Sequence, residues 1–118
     1  MLHIALINHK SVYEEKDKRD GKWVLVERLW PRGIKKEKID IWMKEIAPSN
    51  ELRKWYSHDV EKWEEFRLKY REELKGNKKV KDLLEIVKKE KITIVYATKD
   101  YEHSGARVLI EYLESLIL

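Results

Sequence analysis

The chain has 118 residues, 42% hydrophobic and 41% charged, which is enough apolar material for one domain with a single modest core. Its 26 basic and 22 acidic residues leave a formal net charge of +4 and a pI near 9.1, which permits anionic partners from phosphate to nucleic acid. Cysteine is absent, so disulfides, thiolate nucleophiles and cysteine metal sites are excluded.

The first expected element is a short strand over 3–8, HIALIN. Its apolar run is too short for a signal peptide, and no later stretch reaches membrane-spanning length. The expectation is a soluble, cytoplasmic protein with no membrane partner. Residues 9–20 are polar and end in Asp20-Gly21, a turn signal. A second strand over 23–29 is continuous in apolar groups up to Val26, as for a strand covered on both faces. Pro31 lacks a backbone donor and Gly33 tolerates unusual angles, so the strand must stop there.

Ile39, Trp42, Met43 and Ile46 then recur at i, i+3, i+4 and i+7, which predicts an amphipathic helix. Ala47-Pro48 breaks it, and Ser49 is placed to cap a turn carrying Leu52, Trp55 and Tyr56. Asp59 is placed to cap a long helix with Trp63, Phe66, Tyr70 and Leu74 inward, stopped by Gly76. Val80, Leu83, Leu84 and Val87 mark another helix, and ITIVYAT at 92–98 a buried strand. A final helix from about Glu102 turns Leu109, Tyr112, Leu113 and Leu116 inward. This order predicts one α/β domain over 1–118, with a small, mainly parallel sheet packed by about four to five helices.

Charges of both signs alternate along the helices and coat solvated faces. The lysine excess at Lys75, Lys78, Lys79 and Lys81 reads most simply as a solubilised helix start. A Lys- and Glu-rich surface is also a trend of thermophilic proteins.

Several blocks together, VLVERLWPRGI, APSNELRKWYSHD with WEEF behind it, and VYATKD followed by ARVLIEYL, resemble the YeaO-like proteins. These form a bacterial and archaeal family, domain of unknown function 488. The likeness covers roughly residues 3–113, with the blocks in family order, which is far more specific than a lone motif. It implies a compact α/β fold and an intracellular setting, and brings no established activity. Two departures matter. Glu27 stands where the family usually has Asp. Ser104-Gly105-Ala106 stands where many relatives carry Asn-His-Ala and broader relatives Cys-His-Arg, so that histidine is missing. A mechanism resting on a nucleophile or proton carrier at that position does not transfer. His103, two positions away, could substitute only if the loop turned it the same way.

In open α/β sheets, ligands bind beyond the carboxyl ends of the strands. Those ends supply Glu27, Arg28, Trp30, Arg32 and Gly33 from the second strand, and Thr98, Lys99 and Asp100 from the last. Alternation separates Val24, Val26, Arg28 and Trp30 from Trp23, Leu25, Glu27 and Leu29, so Glu27 and Arg28 are expected to diverge. Arg28 and Arg32 offer guanidinium forks to a carboxylate or phosphate, and amides opening the last helix could add to that site. Equally, the two arginines could pair with Glu27, Asp59 or Asp100 and only fix the loop.

His58 can exchange protons near neutral pH, and Asp59 and Asp100 offer carboxylates, although a helix cap is the simpler use of Asp59. Arg53, one turn earlier, could reach the same mouth. Trp42, Trp55 and Trp63 fall on stripes expected to be buried, while Trp30 either fills core or stacks on a ring. His3, His9 and His103 share no ligand spacing with His58, so no metal or other cofactor is expected.

The leading expectation is binding of an anionic small molecule (phosphate, nucleotide or carboxylate) at Arg28, Arg32 and Lys99, beside Glu27 and Trp30. A hydrolase or transferase there would use His58, Asp59 or Asp100. The alternatives are a nucleic-acid-binding or regulatory module, and a protein interaction module of open oligomeric state.

Overall fold

A parallel sheet has chain crossing over it after every strand, so both of its faces tend to be covered. The structure, a computed structural model that describes residues 7–117, follows this rule. Strands β1 (Asn8–Ser11), β2 (Lys22–Leu25), β3 (Ile41–Trp42) and β4 (Ile92–Tyr96) form one sheet in the order β1-β4-β2-β3. Every pairing is parallel. Helices α1 (Asn50–Tyr56), α2 (Trp63–Lys75), α3 (Lys79–Lys89) and α4 (Gly105–Ile117) complete an α/β domain.

All five residues of β4 are buried, and pleating divides them between two cores. Ile92, Ile94 and Tyr96 join Val24, Val26 and the helices. On that side Tyr56 stacks on Phe66, with ring centroids 4.1 Å apart. The Tyr70 hydroxyl donates to the Ile46 carbonyl at 2.7 Å, which satisfies its buried polar end. On the opposite face Val95 packs with Val12, Trp23 and Leu25. Here the cover is irregular chain, with Trp30, Ile34 and Ile39 packed against the cluster and the Lys16 and Lys38 ammoniums over Trp23. Gly21 lies at the foot of β2 with φ 68°, where a Cβ would collide with the Lys91 carbonyl. The Asp20-Gly21 turn therefore has a steric reason.

Most of the expected local signals are present. Ser49 Oγ accepts the Leu52 amide at the start of α1. Trp63, Phe66, Tyr70 and Leu74 are all buried along α2, and Gly76 ends it. Asp59 caps a short 3-10 turn over Val60–Lys62 that leads into α2.

The region 39–46 differs, because it forms no α-helix. Ile41–Trp42 pairs with Val24–Leu25 as β3, flanked by 3-10 turns at Lys36–Lys38 and Lys44–Ile46. The edge of β2 supplies the reason. Asp40 and Met43 donate their amides to the Trp23 and Leu25 carbonyls, and the Asp40 carboxylate accepts the Trp23 amide at 2.7 Å. A helix would leave those groups of β2 unpaired. The apolar residues of the supposed stripe divide between the two cores, Ile39 on one side and Met43 and Ile46 on the other.

Trp42 is consequently exposed rather than core, with its indole donating to the Glu27 carbonyl. Trp55 is half-buried beneath the Lys62 and Lys69 ammoniums, and Leu116 faces outward. β2 is shorter than the expected 23–29. The first expected strand lies outside the described residues except for Ile7 and Asn8, and β1 begins at Asn8. Among the described residues, no helix is long and apolar enough to cross a membrane.

Candidate functional site

Because β2 and β4 are parallel neighbours, with Leu25 beside Val95, the segments that follow them emerge side by side. Between those segments, the end of α1 and the start of α4 lies a cleft of about 820 Å³. It is lined by five arginine and lysine side chains (Arg28, Arg32, Arg53, Lys54, Lys99) and only two carboxylates (Glu27, Asp100), so its field favours an anion.

Glu27 and Arg28 diverge, as strand alternation requires. Glu27 Oε2 accepts the Ala97 amide at 2.9 Å, just past the end of β4. Burial pushes its carboxyl above the usual glutamate range; that amide and the charges of His58 and Arg53 pull it partly back. Arg28 reaches the other way. Its Nε donates to the Pro48 carbonyl at 3.1 Å and its Nη2 to the Ala47 carbonyl at 2.9 Å, which pins the exit of β2 to the entrance of α1. Its Nη1 has no hydrogen-bond partner among the described residues. Among the described residues the partners of Arg28 are carbonyls and no carboxylate, so the foreseen ion pair with Glu27, Asp59 or Asp100 does not form.

Arg53 extends from α1 into the lining of the cleft. Its Nη2 donates to Asn50 Oδ1 at 3.3 Å, but its Nε is buried with no partner among the described residues. A buried donor in that state costs about 1–3 kcal/mol, a cost that a bound acceptor would remove.

After α1 the chain turns through two consecutive left-handed residues, Ser57 (φ 45°) and His58 (φ 57°). Neither is glycine, so this turn carries strain of the kind that collects at functional sites. It leaves His58 exposed at the cleft rim, with its ring 6.4 Å from that of Tyr56. Asp59 is turned to its capping duty, accepting the Glu61 amide at 3.1 Å, and makes no bond to His58.

At the opposite wall Asp100 Oδ2 lies 2.8 Å from His103 Nδ1. The His103 ring meets Trp63 edge-on, and its carbonyl accepts the Tyr56 hydroxyl at 2.7 Å. Buried Ser104 accepts the Arg107 amide and so caps α4, whose first turn, Gly105 and Ala106, lines the cleft. A Cβ on Gly105 would lie 3.2 Å from Pro48 Cγ, so the space beside this glycine is already tight.

Arg32 and Lys99 are exposed at the rim, and the Arg32 carbonyl receives the Tyr13 hydroxyl. Trp30 gives its indole N–H to the Ile34 carbonyl at 2.8 Å and packs on the second core, with its edge against Trp42. Among the described residues, no group of three or more histidine or acidic side chains is arranged to hold a metal ion.

The cleft therefore gathers Glu27, Arg28, Trp30, Arg32, His58, Lys99 and Asp100, while Asp59 faces the entry to α2. Sequence reasoning missed the Ala97 amide, the Ser57-His58 backbone and the Asp100–His103 pair. Only the last left a trace, an acid and a histidine three residues apart before a helix.

A family model described as the Inactive DUF488-N3 subclade matches residues 6–117. The uncharacterized protein Rv3073c of Mycobacterium tuberculosis H37Rv is 42% identical over 115 residues, covering 96% of this chain and 98% of that protein. The uncharacterized protein YeaO of Escherichia coli K12 is 42% identical over 113 residues, covering 93% of this chain and 98% of that protein. No solved structure gives a significant match. Matched over nearly its whole length, the chain belongs to the DUF488 family, in the subclade described as inactive.

Proposed function

We propose that this protein is a small-molecule-binding domain that holds an oxyanion (a phosphate, carboxylate or nucleotide) at the carboxyl ends of β2 and β4, without chemically converting it. The observation that carries this reading is the buried, unpartnered Nε of Arg53 in a cleft where basic side chains outnumber acids. The first turn of α4 adds amides and the positive end of its dipole, and Arg32, Lys99 and the spare Nη1 of Arg28 supply further donors.

Binding is favoured over a hydrolase or transferase. Asp59 is occupied as a cap, and among the described residues no carboxylate is hydrogen-bonded to His58. The subclade description, inactive, points the same way. The nucleic-acid alternative draws less support, since Lys75 and Lys79 are paired with Glu72 and Asp82.

Thermal melting with phosphate, sulfate, nucleotides and organic acids tests the reading. A ligand at a hundred times its Kd stabilises by about 2.7 kcal/mol, a rise of several degrees in Tm. Arg53→Met should abolish that rise. If no anion raises the Tm of the wild type, the proposal fails.

A further inference from the structure

An anion site does not ordinarily contain an unneutralised acid, and this one does. Glu27 makes no ion pair among the described residues, although Arg53 and His58 lie close enough for their charges to act on it. Its one protein hydrogen bond uses Oε2 on the Ala97 amide. A carboxylate has about four acceptor positions, so most of the capacity of Glu27 is unspent in the wall of a cleft.

A bare anion entering there would be drawn by Arg53 and repelled by Glu27. A molecule with a donor set apart from its anionic group would satisfy both. We infer that the ligand of this cleft carries an oxyanion and an N–H donor in one molecule, the oxyanion for Arg53 and the donor for Glu27. This rests on the anion-binding reading above and narrows it.

Size agrees. At about 820 Å³ the cleft falls within the range of roughly 300–1,000 Å³ usual for small-molecule sites, and a lone phosphate would leave most of it empty. Tyr13 and Trp30 add aromatic surface at the rim. The required chemistry is met by a nucleotide with an amino-bearing base and by an amino acid with a second carboxylate. A purine without the 6-amino group lacks the donor, and a keto acid replaces it with an acceptor.

Isothermal titration with two matched pairs tests the inference, alongside inorganic phosphate. Adenosine monophosphate is compared with purine riboside monophosphate, which lacks only the amino group, and glutamate with 2-oxoglutarate. In one pair the donor-bearing member should bind at least about tenfold tighter, because its analogue leaves the Glu27 oxygen unpaired. In Glu27→Gln, whose amide oxygen can still accept from Ala97 and whose NH2 now donates, that preference should vanish or reverse. Phosphate affinity should hold or rise in the same variant.

Equal binding within both pairs overturns the inference, as does a preference that survives in Glu27→Gln. Arg53-dependent phosphate binding together with equal pairs removes this inference and leaves the anion site standing. Absence of all binding removes both.

Discussion

β2 is bracketed by two carboxylates, Asp20 just before it and Glu27 just after it, and the fold treats them in opposite ways. Asp20 Oδ2 gathers the Lys10 ammonium at 3.0 Å, the Asp17 amide at 2.9 Å and the Trp23 indole at 2.9 Å. Burial alone would raise its carboxyl, but these donors outweigh burial and hold it below the usual aspartate range. Glu27 has one donor, and for it burial wins. An acid that only braces the fold is surrounded by donors from its own chain. An acid short of donors in the wall of a cleft is a candidate for contact with something else.

The largest expected effect separates the two acids by stability. Asp20→Ala leaves an ammonium, an indole and an amide without their acceptor and should cost about 3–5 kcal/mol in urea denaturation. Glu27→Gln keeps the Ala97 bond and sheds a half-buried charge, so its stability should stay within about 1 kcal/mol of wild type or rise. Equal losses would break the comparison.

Next in size is the backbone at either end of the strand. Gly21→Ala meets both a positive φ and the Lys91 carbonyl, and should cost about 3 kcal/mol or more. Gly33→Ala has a positive φ but open space, so it should cost only about 1–2 kcal/mol. Thermal melting of the pair isolates the collision from the torsional strain.

The two arginines sharpen the same contrast. Arg28→Met removes two bonds to carbonyls and should destabilise by about 2 kcal/mol. Arg53→Met deletes an unsatisfied donor along with one bond to Asn50 and should leave stability unchanged or raise it by up to about 2 kcal/mol, while removing anion binding. A reversed order would exchange the brace and the ligand-facing group.

The smallest effect is in pH dependence, where the two acids have opposite signs. The Glu27 carboxyl lies above the ordinary glutamate value of 4.5 in the fold, so its contribution is complete below 4.5 and is lost as pH rises through the folded value. The Asp20 carboxyl lies below the ordinary aspartate value of 3.8, so its contribution is present above 3.8 and is lost as pH falls through the folded value. Denaturation curves between about pH 3 and pH 8 should show Glu27→Gln flattening the high-pH side and Asp20→Asn the acid side.

What the amino-acid order determined by itself was local. The buried stripe of α2, the Ser49 cap, the turn at Asp20-Gly21 and the apolar run of β4 each depend on residues a few positions apart, and each is present. The acid and arginines at the strand ends, Glu27, Arg28 and Arg32, line the cleft.

Partners were another matter. A helical spacing over 39–46 was overruled because β2 had an open edge, and pairing with it satisfied backbone groups that a helix would have stranded. Glu27 meets an amide 70 residues away and Arg28 meets carbonyls 19 and 20 residues away. Those meetings follow from the parallel register of Leu25 with Val95 and from the entry of α1, neither of which leaves a local mark. Tertiary structure alone decided that Arg28 would brace α1 through its Nε and Nη2 and that, among the described residues, the buried Arg53 Nε would have no partner.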